Sequence, residues 1–366
     1  MKEKQATSQD VARAAGVSQS TVSMILNGKR LPSFTDETIR KVFDAANSLG
    51  YKGVRSKRTT AAQADTIVVF CPVVSNPYYA SVIQSLEQAA YEKGFRTVIC
   101  TTYRSADIER RHLREVNKES TAGIIFTCIP LHKALVEDIN YQIPIVVIGD
   151  RDESINVDTV EVNSYRSGIA VAEHLIDLGH RHISLISTSL DNQNIIRVKR
   201  MEGIRDTMAK LDGESGFYVK SRKVSSLTDI SDLDIEHKVG FELTRECLVE
   251  TPFVTAMIGI NDMVAYGILD ALHSAGHTVP DEYSVCGFDN IFPSQMLNVS
   301  LSSVENFVQQ KGRSALDILL KRITSRGGQP GAADSITHVE YQPRLIVRTS
   351  TGEARNYGNW KKQRTL

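Results

Sequence analysis

The chain has 366 residues, with 43 Lys and Arg against 43 Asp and Glu, so its formal net charge is zero. This length predicts two or three domains. No run of the sequence approaches the roughly 20 apolar residues of a membrane-spanning helix. The polar stretch Met1 to Asp10 also lacks the apolar segment of a secretion signal. We therefore expect a cytoplasmic protein with no membrane partner.

The cysteines and the charge distribution indicate which kinds of site and partner to expect. The five cysteines are far apart and odd in number, and most lie in apolar runs, which favours buried reduced thiols over a redox or metal role. Residues 1–60 contain 11 basic and 5 acidic side chains, a net charge of +6. The remainder contains 32 basic and 38 acidic side chains, a net charge of −6. A basic end on an acidic body favours a polyanion partner for the N-terminal segment alone.

The first sixty residues predict three short helices. The first opens with the capping box Thr7-Ser8-Gln9-Asp10 and ends at Gly16, and we expect it to bury Val11, Ala14 and Ala15. The second, capped by Ser18, runs from Gln19 to about Asn27. The third begins at Thr35 and closes at Gly50. Two short helices with a third across them are typical of a helix-turn-helix, although other small helical bundles share this periodicity.

The polar face of the second helix favours DNA binding. Gln19, Ser20, Thr21 and Ser23 are short or amide side chains at a helix N-terminus, where they can reach base edges and phosphates in a major groove. The segment from Asp10 to Ser18, followed by Thr21-Val-Ser23 and Leu26-Asn-Gly28, resembles the head of LacI/GalR repressors. This resemblance implies base contacts at Gln19, Ser20 and Met24.

Two features depart from the family pattern. Met24 stands where arginine is usual, so we expect a different base preference there, through apolar contact with a thymine methyl. The hinge 54–64 lacks the leucine that the family wedges into the minor groove, and Thr59 or Thr60 falls near its place. A plain flexible linker is an equal alternative. The side chains that we expect to contact DNA are Thr7, Ser18, Gln19, Ser20, Thr21, Ser23, Met24, Asn27, Lys29, Arg30, Tyr51, Arg55, Lys57 and Arg58.

Residues 66–351 predict an α/β core. Apolar strands alternate with amphipathic helices in two successive sets, which indicates two doubly wound parallel sheets with a ligand cleft at the carboxyl ends of their strands. The predicted strands are Ile67–Cys71, Thr97–Cys100, Gly123–Thr127, Ile145–Ile148, Thr159–Val162, Ser184–Ser187, Ala256–Ile260 and Ser284–Gly287. No phosphate-binding loop or nucleophile motif is present, which disfavours an enzyme. His180 and His182, near Arg181, could suggest a metal site. We favour instead a helix cap and positive charges at the C-terminal end of the preceding helix.

Motifs along the core extend the resemblance to nearly the whole chain. These are Ser75-Asn-Pro-Tyr-Tyr79, His174 to His180, Arg200-Met-Glu-Gly203, Asn261 to Gly267, Val285-Cys-Gly-Phe-Asp289 and Pro343 to Arg348. Carried over by position, the effector-binding residues are Tyr78, Tyr79, Arg200, Asn261 and Asp289. Their rings, guanidinium, amide and carboxylate suit a small polar metabolite. Alternatives are a surface-to-core edge for the two tyrosines and an inter-lobe ion pair for Arg200 and Asp289.

The sequence thus predicts an all-α helix-turn-helix head followed by a periplasmic-binding-protein-like α/β core. We expect a head at 1–52, a hinge at 53–65, a two-lobed core at 66–351 and a polar tail at 352–366. The resemblance implies that the lobes exchange late segments: the first lobe at 66–163 plus 294–326, the second at 164–293 plus 327–351. The predicted function is a homodimeric repressor of a pseudopalindromic operator, without a cofactor, controlled by a carbohydrate-like effector. A solute-binding protein of the same fold is the alternative.

Overall fold

A computed structural model describes residues 6–26, 34–49, 51, 64–225, 231–326 and 335–355 of the chain. The chain divides into two compact units, the head, Met1–Gln63, and the core, Ala64–Leu366. Within the described ranges, no helix has both the length and the apolar character needed to cross a lipid bilayer.

The head contains three helices: α1 (Ser8–Ala15), α2 (Gln19–Leu26) and α3 (Asp36–Ser48). The predicted capping box is confirmed, since the Asp10 backbone N–H donates to Thr7 Oγ1 at 3.3 Å and the Thr7 N–H donates to Asp10 Oδ2 at 2.9 Å. Gly16 ends α1 in the left-handed conformation that favours glycine, with φ of 68°. Ser18 Oγ accepts from the Thr21 N–H at 3.1 Å, which confirms it as the cap of α2.

The core of the head is small and apolar. Val11, Ala12 and Ala15 of α1 pack with Val22 and Ile25 of α2 and with buried residues of α3. The prediction that Ala14 is buried is wrong, because the other two helices cover the side of α1 that carries Ala12, so Ala14 faces solvent.

The C-terminal unit alternates strands and helices over most of its described part. The strands are β1 (Thr66–Cys71), β2 (Arg96–Thr101), β3 (Thr121–Phe126), β4 (Ile145–Ile148), β5 (Asp158–Val162), β6 (His182–Ser187), β7 (Gly216–Ser221), β8 (Ala256–Gly259), β9 (Ser284–Asp289), β10 (Ser302–Glu305), β11 (His338–Tyr341) and β12 (Arg344–Ile346). The helices are α4 (Pro77–Glu92), α5 (Ala106–Glu115), α6 (Lys133–Gln142), α7 (Ser164–Asp177), α8 (Ile195–Met208), α9 (Ile235–Glu250), α10 (Asp262–Ser274) and α11 (Val308–Arg326). The eight predicted strands are all present, while β7, β10, β11 and β12 were not predicted.

Two sheets define the two lobes. The sheet of the first lobe has the order β11-β5-β4-β3-β1-β2, and that of the second has the order β12-β10-β9-β8-β6-β7. All pairings are parallel except that of β10 with β12. Because βαβ crossovers cover both faces of such sheets, the strands are nearly continuous apolar runs, as in the fully buried β1 and β3.

The late segments exchange between the lobes differently from the prediction. Helix α11 packs on the first lobe, as expected. The assignment of residues 294–305 to that lobe is wrong for β10, because β10 extends the ladder of β9 in the second sheet. Likewise β11 lies beside β5 in the first sheet, not in the second lobe. The chain therefore passes between the lobes after β5, after β10 and between β11 and β12.

The start of the predicted tail packs against the second lobe. The Ala354 N–H donates to the Leu178 carbonyl at 2.8 Å, and the Gly352 N–H donates to Ser284 Oγ at 3.1 Å. Residues 356–366 lie outside the described ranges. All five cysteines are free thiols, of which Cys71, Cys247 and Cys286 are buried.

Candidate functional site

The exposed surface of α2 carries the residues predicted to read DNA. Ser18, Gln19, Ser20 and Ser23 are exposed, while Thr21 and Met24 are partly exposed. Gln19 Nε2 donates to Ser8 Oγ at 2.9 Å, which holds its amide beside the first turn of α1. The start of α2 thus presents hydroxyl and amide groups to solvent. Base edges and phosphates are chemically matched to such groups.

The other predicted DNA contacts are described only in part. Thr7 is exposed but also serves the capping box of α1, and Tyr51 is partly buried against the apolar core of the head. The loop after α2 and the hinge lie outside the described residues, and with them the predicted contacts Asn27, Lys29, Arg30, Arg55, Lys57 and Arg58.

The core contains a cleft between the carboxyl edges of its two sheets. A cavity of about 100 Å³ there is lined by all five residues predicted to bind an effector: Tyr78, Tyr79, Arg200, Asn261 and Asp289. They come from α4, α8, β9 and the residue that caps α10, and they are up to 211 positions apart (289 − 78). The carboxyl edge of parallel sheets is where ligands bind in open α/β folds.

The two tyrosines lie in the first turn of α4. Asn76 caps this helix by accepting the Tyr78 N–H at 2.9 Å, and the two rings meet edge to face with centroids 5.0 Å apart. Arg104 donates to Tyr79 Oη at 3.5 Å. Burial raises the pKa of both phenols, so both remain protonated and able to donate hydrogen bonds. Tyr78 and Tyr79 therefore line the cavity, and the alternative that they only mark an edge between surface and core does not hold.

Arg200 is positioned by a close crossing of α7 and α8. A Cβ on Gly168 would collide with the Arg200 carbonyl, and one on Gly203 would collide with the Tyr165 carbonyl, so glycine at both positions lets the helices approach. The Arg200 guanidinium lies 4.7 Å from the Phe288 ring centroid and donates to the Ile260 carbonyl at 2.7 Å. Among the described residues its buried Nε has no hydrogen-bond partner.

Arg200 and Asp289 form a buried ion pair at 3.4 Å. Both belong to the second lobe, so the alternative of a pair between the lobes is wrong. Asp289 ends β9 with φ of 136°, a strained backbone conformation for a residue with a side chain. Burial raises the pKa of Asp289 to about 7, although Arg200 opposes the shift. Its Oδ1 accepts from Arg200 and Asn306, and no residue of the described ranges donates to Oδ2, which is therefore open to a ligand donor.

Asn261 is first of all a helix cap. Its Oδ1 accepts the Val264 N–H at 2.9 Å at the start of α10, and the side chain is buried beside the cavity. The cap fixes the amide orientation, and Nδ2 has no partner within the described ranges. Asn261 therefore offers a hydrogen-bond donor to a ligand, where Asp289 offers an acceptor.

Several cavity residues were not predicted. Lys311 from α11 and Asn306 from the segment after β10 both reach the cavity, as do the carboxylates Glu109, Asp150 and Glu161. The sequence pattern could have identified Lys311, because it falls on the face of α11 that buries Gly312, Ala315 and Leu319. A charged residue on an apolar helix face is unusual unless it has a partner or a function.

Polar contacts link the lobes across the cleft. Glu236 of α9 accepts from Asn76 Nδ2 of the first lobe at 2.7 Å and from Arg197 at 2.8 Å. Lys199 of α8 lies 3.3 Å from Asp150 of the first lobe. These contacts would break if the lobes separated, so they favour the lobe arrangement of this structure.

The histidines give no support to a metal at residues 180–182. His180 is buried, with Nδ1 2.8 Å from Thr255 Oγ1 and Nε2 2.9 Å from Ser284 Oγ, so hydroxyls occupy both ring nitrogens. Burial lowers its pKa to about 4, which corrects its predicted role as a helix-end charge. Arg181 instead caps α7, donating to the Ile176 carbonyl at 3.0 Å. Elsewhere in the described ranges, Glu161, His338 and Glu340 form one group with metal-ligand spacing.

Comparison with known proteins agrees with both units. Residues 64–345 match the family model of periplasmic binding proteins and the sugar binding domain of the LacI family, and residues 7–53 match that of bacterial regulatory proteins, lacI family. The HTH-type transcriptional repressor PurR of Histophilus somni is 29% identical over 355 residues, covering 94% of this chain and 98% of that protein.

Solved structures share the fold. A LacI-family transcriptional regulator from Silicibacter pomeroyi has a TM-score of 0.70 at 24% identity, covering 96% of this chain and 100% of that one. A LacI-family regulator from Enterococcus faecium with bound ribose has a TM-score of 0.64 at 21% identity, covering 79% of this chain and 100% of that one.

Proposed function

Because this chain belongs to the LacI family of bacterial regulatory proteins, we propose that it is an operator-binding repressor controlled by a small polar effector. The observation that carries this proposal is the convergence of five residues from four distant parts of the chain on one cavity between the lobes, in a chain that also has a helix-turn-helix head. Such a repressor acts in the cytoplasm, where its operator is.

The head would read its operator through the start of α2. Gln19 and Ser20 are exposed there and offer an amide and a hydroxyl, groups that pair with base edges in the major groove. Met24 offers only apolar contact, which suits a thymine methyl. Phosphate contacts from the basic head and hinge would supply the salt-dependent, sequence-independent part of the affinity.

A homodimer would place two heads on the two halves of a pseudopalindromic operator. An apolar surface suited to self-association lies in the second lobe, on the turn of 3₁₀ helix Phe292–Gln295 and just beyond it. Phe292 is 71% exposed, Met296 45% and Leu297 95%. Large apolar side chains clustered in solvent mark interaction surfaces in soluble proteins.

The cleft would bind an effector with several hydroxyl groups. Asp289 Oδ2 can accept from a hydroxyl, Asn261 Nδ2 can donate to one, and the rings of Tyr78 and Tyr79 can pack against a sugar face. The ribose bound to the Enterococcus faecium protein supports a carbohydrate-like ligand. Coupling to DNA requires only that the effector bind one lobe arrangement better than the other.

DNA binding by the purified protein across a salt series tests this proposal. A repressor should select a pseudopalindromic site from random sequence, and its affinity should fall steeply with salt as counterions are released. A solute-binding protein of the same fold would show neither property. Failure to select any sequence at low salt, from folded protein, contradicts the proposal.

A further inference from the structure

Three basic side chains of the cleft lie in ion pairs with described acids, whereas Lys311 does not. Arg197 lies 2.8 Å from Glu236, Arg200 lies 3.4 Å from Asp289, and Lys199 lies 3.3 Å from Asp150. Lys311 is only 3% exposed and forms no ion pair with any described residue. A buried ammonium without a counter-ion is costly, because burial removes its hydration without replacing it.

The carboxylates of the cavity already have hydrogen-bond or ion-pair partners in the protein. Glu109 accepts the backbone N–H groups of Leu131 and His132, both at 2.8 Å, at the start of α6. Glu161 accepts the Arg151 N–H at 2.7 Å and lies 3.0 Å from His338. Asp150 and Asp289 have the partners described above. None of the carboxylates that line the cavity forms an ion pair with Lys311 in the described part of the chain, so its Nζ is open to a carboxylate of a ligand.

Lys311 has a free donor directed by two fixed neighbours. Its Nζ donates to Tyr78 Oη and to Asn306 Oδ1, both at 2.9 Å. It also lies 5.1 Å from the Tyr78 ring centroid. An ammonium has three N–H donors, so one remains for a ligand. The Tyr78 hydroxyl, which accepts from Lys311, has its own proton available for the same ligand atom.

Asn306 bridges Lys311 and Asp289. Its Nδ2 donates to Asp289 Oδ1 at 2.8 Å while its Oδ1 accepts from Lys311, so the amide separates the two charges. Burial lowers the pKa of Lys311 to about 7, and Arg200 acts in the same direction, while Asp289, Asp150 and Glu305 oppose the shift. An anion bound at Nζ would favour the charged amine.

We propose that the effector is a small polyhydroxylated carboxylic acid, a sugar acid, whose carboxylate binds Lys311 Nζ and the Tyr78 hydroxyl. This inference rests on the proposed function, because it assigns a ligand class to the same cleft. The hydroxyls of the ligand face Asn261 and Asp289. Because Arg104, Arg197 and Arg200 also line the cavity, the titrations below compare the carboxylate with a phosphate of the same sugar.

Matched sugars test the assignment on the full-length protein. Calorimetric titrations at pH 7 would compare glucose with glucuronate and with glucose 6-phosphate, and galactose with galacturonate and with galactose 6-phosphate. We expect at least one acid to bind roughly tenfold or more tightly than its neutral partner, as one charge-assisted hydrogen bond provides. Lys311→Met should reduce this ratio to about one.

Proton uptake separates a direct contact from a structural role. At pH 8, binding of the acid should take up protons, measured by titration in buffers of different ionisation enthalpy, because burial lowers the pKa of the Lys311 amine and a bound anion favours its charged form. Lys311→Gln keeps a neutral donor for Asn306 and should abolish the uptake while preserving the fold. Lys199→Met removes a cleft lysine that is already paired with Asp150, and should keep the ratio of acid to neutral affinity.

Three results would overturn the inference. They are tighter binding of the neutral sugars or the phosphates than of the acids, an unchanged acid preference in both Lys311 variants, and binding of none of the acids by protein that still selects its operator. In each of these cases sequence-selective DNA binding would remain, so the proposed repressor function would stand. Loss of operator selection in the wild-type protein would instead remove the proposed function itself.

Discussion

The start of α2 in the head carries its polar side chains in solvent, whereas the cleft of the core carries its polar side chains in the interior. Ser18, Gln19 and Ser20 are exposed, but Asp289 and Lys311 are 6% and 3% exposed. An exposed polar group already has water as a partner, so it can exchange that partner for a base at little cost to folding. A buried one must be satisfied by the fold. Substitutions in the head should therefore change recognition, and those in the cleft should change recognition and stability together.

The largest effect is expected at Asp289. Asp289→Ala leaves the Arg200 guanidinium buried without its carboxylate, and removing one partner of a buried pair costs about 3–5 kcal/mol in the free energy of unfolding. Urea denaturation measures this loss. Where the variant stays folded, we expect its operator affinity without effector to be nearly unchanged and its response to effector to be lost.

A double-mutant cycle gives the control for Asp289. Arg200→Met combined with Asp289→Leu removes both charges and should recover much of the stability, because an apolar pair avoids the desolvation cost. The single variants of this cycle are Arg200→Met and Asp289→Leu. If the double variant were destabilised as much as these, lost packing, and not the unpaired charge, would determine the effect.

His180 should make the stability of the core depend on pH. Its pKa is lowered to about 4 in the folded protein, against 6.5 for the ordinary side chain, so between these values the unfolded chain binds the proton and the folded chain does not. Stability is complete above pH 6.5 and falls as pH decreases towards 4, by about 3 kcal/mol. Unfolding in urea at pH 7, 5.5 and 4.5 measures the slope. His180→Asn should flatten it.

Gln19→Ala should affect recognition alone. We expect a loss of roughly 1–3 kcal/mol in operator affinity, relaxed selectivity at one base pair, and unchanged thermal unfolding. Binding to a set of operators with single substitutions measures this. Ser8→Ala, which removes the hydrogen-bond partner of the Gln19 amide, is the matched control and should keep selectivity. Uniform weakening on all sequences would identify Gln19 as a phosphate contact.

The smallest effects are expected in the hinge. Arg58→Ala should reduce the slope of log affinity against log salt by about one, as expected for a single phosphate contact. Thr60→Leu should strengthen binding and increase the operator bend, because leucine offers the apolar surface for unstacking that threonine lacks. Bend-sensitive electrophoresis compares the two proteins. A strongly kinked operator with the wild-type protein would contradict this view of the hinge.

Local sequence signals predicted most of the elements. Caps such as Thr7 and Ser18 and the buried runs of β1 and of β3 to β6 act within a few residues, so their positions can be read from the chain alone. The five effector-binding positions came from resemblance and do meet at one cavity. Their ligand contacts stay a prediction.

Long-range pairing explains what the sequence did not reveal. The partners of β10, β11 and β12 depend on ladders with strands up to 179 positions away, as in the register of His338 with Thr159 (338 − 159). No local pattern specifies such a partner. The contact of Glu236 with Asn76 and the place of Lys311 beside Tyr78 arise in the same way, from the packing of distant elements.

The exchange of strands between the lobes also has a consequence for how such regulators can be recombined. β11 and β12 are separated by only Gln342 and Pro343, yet they complete the edges of different sheets. A chimera that replaced one lobe by a single splice would leave β5 or β10 with an open edge, which invites pairing with other chains. A chimera with a new effector specificity therefore needs fusion points at all three places where the chain passes between the lobes, or the core must be transferred as one piece.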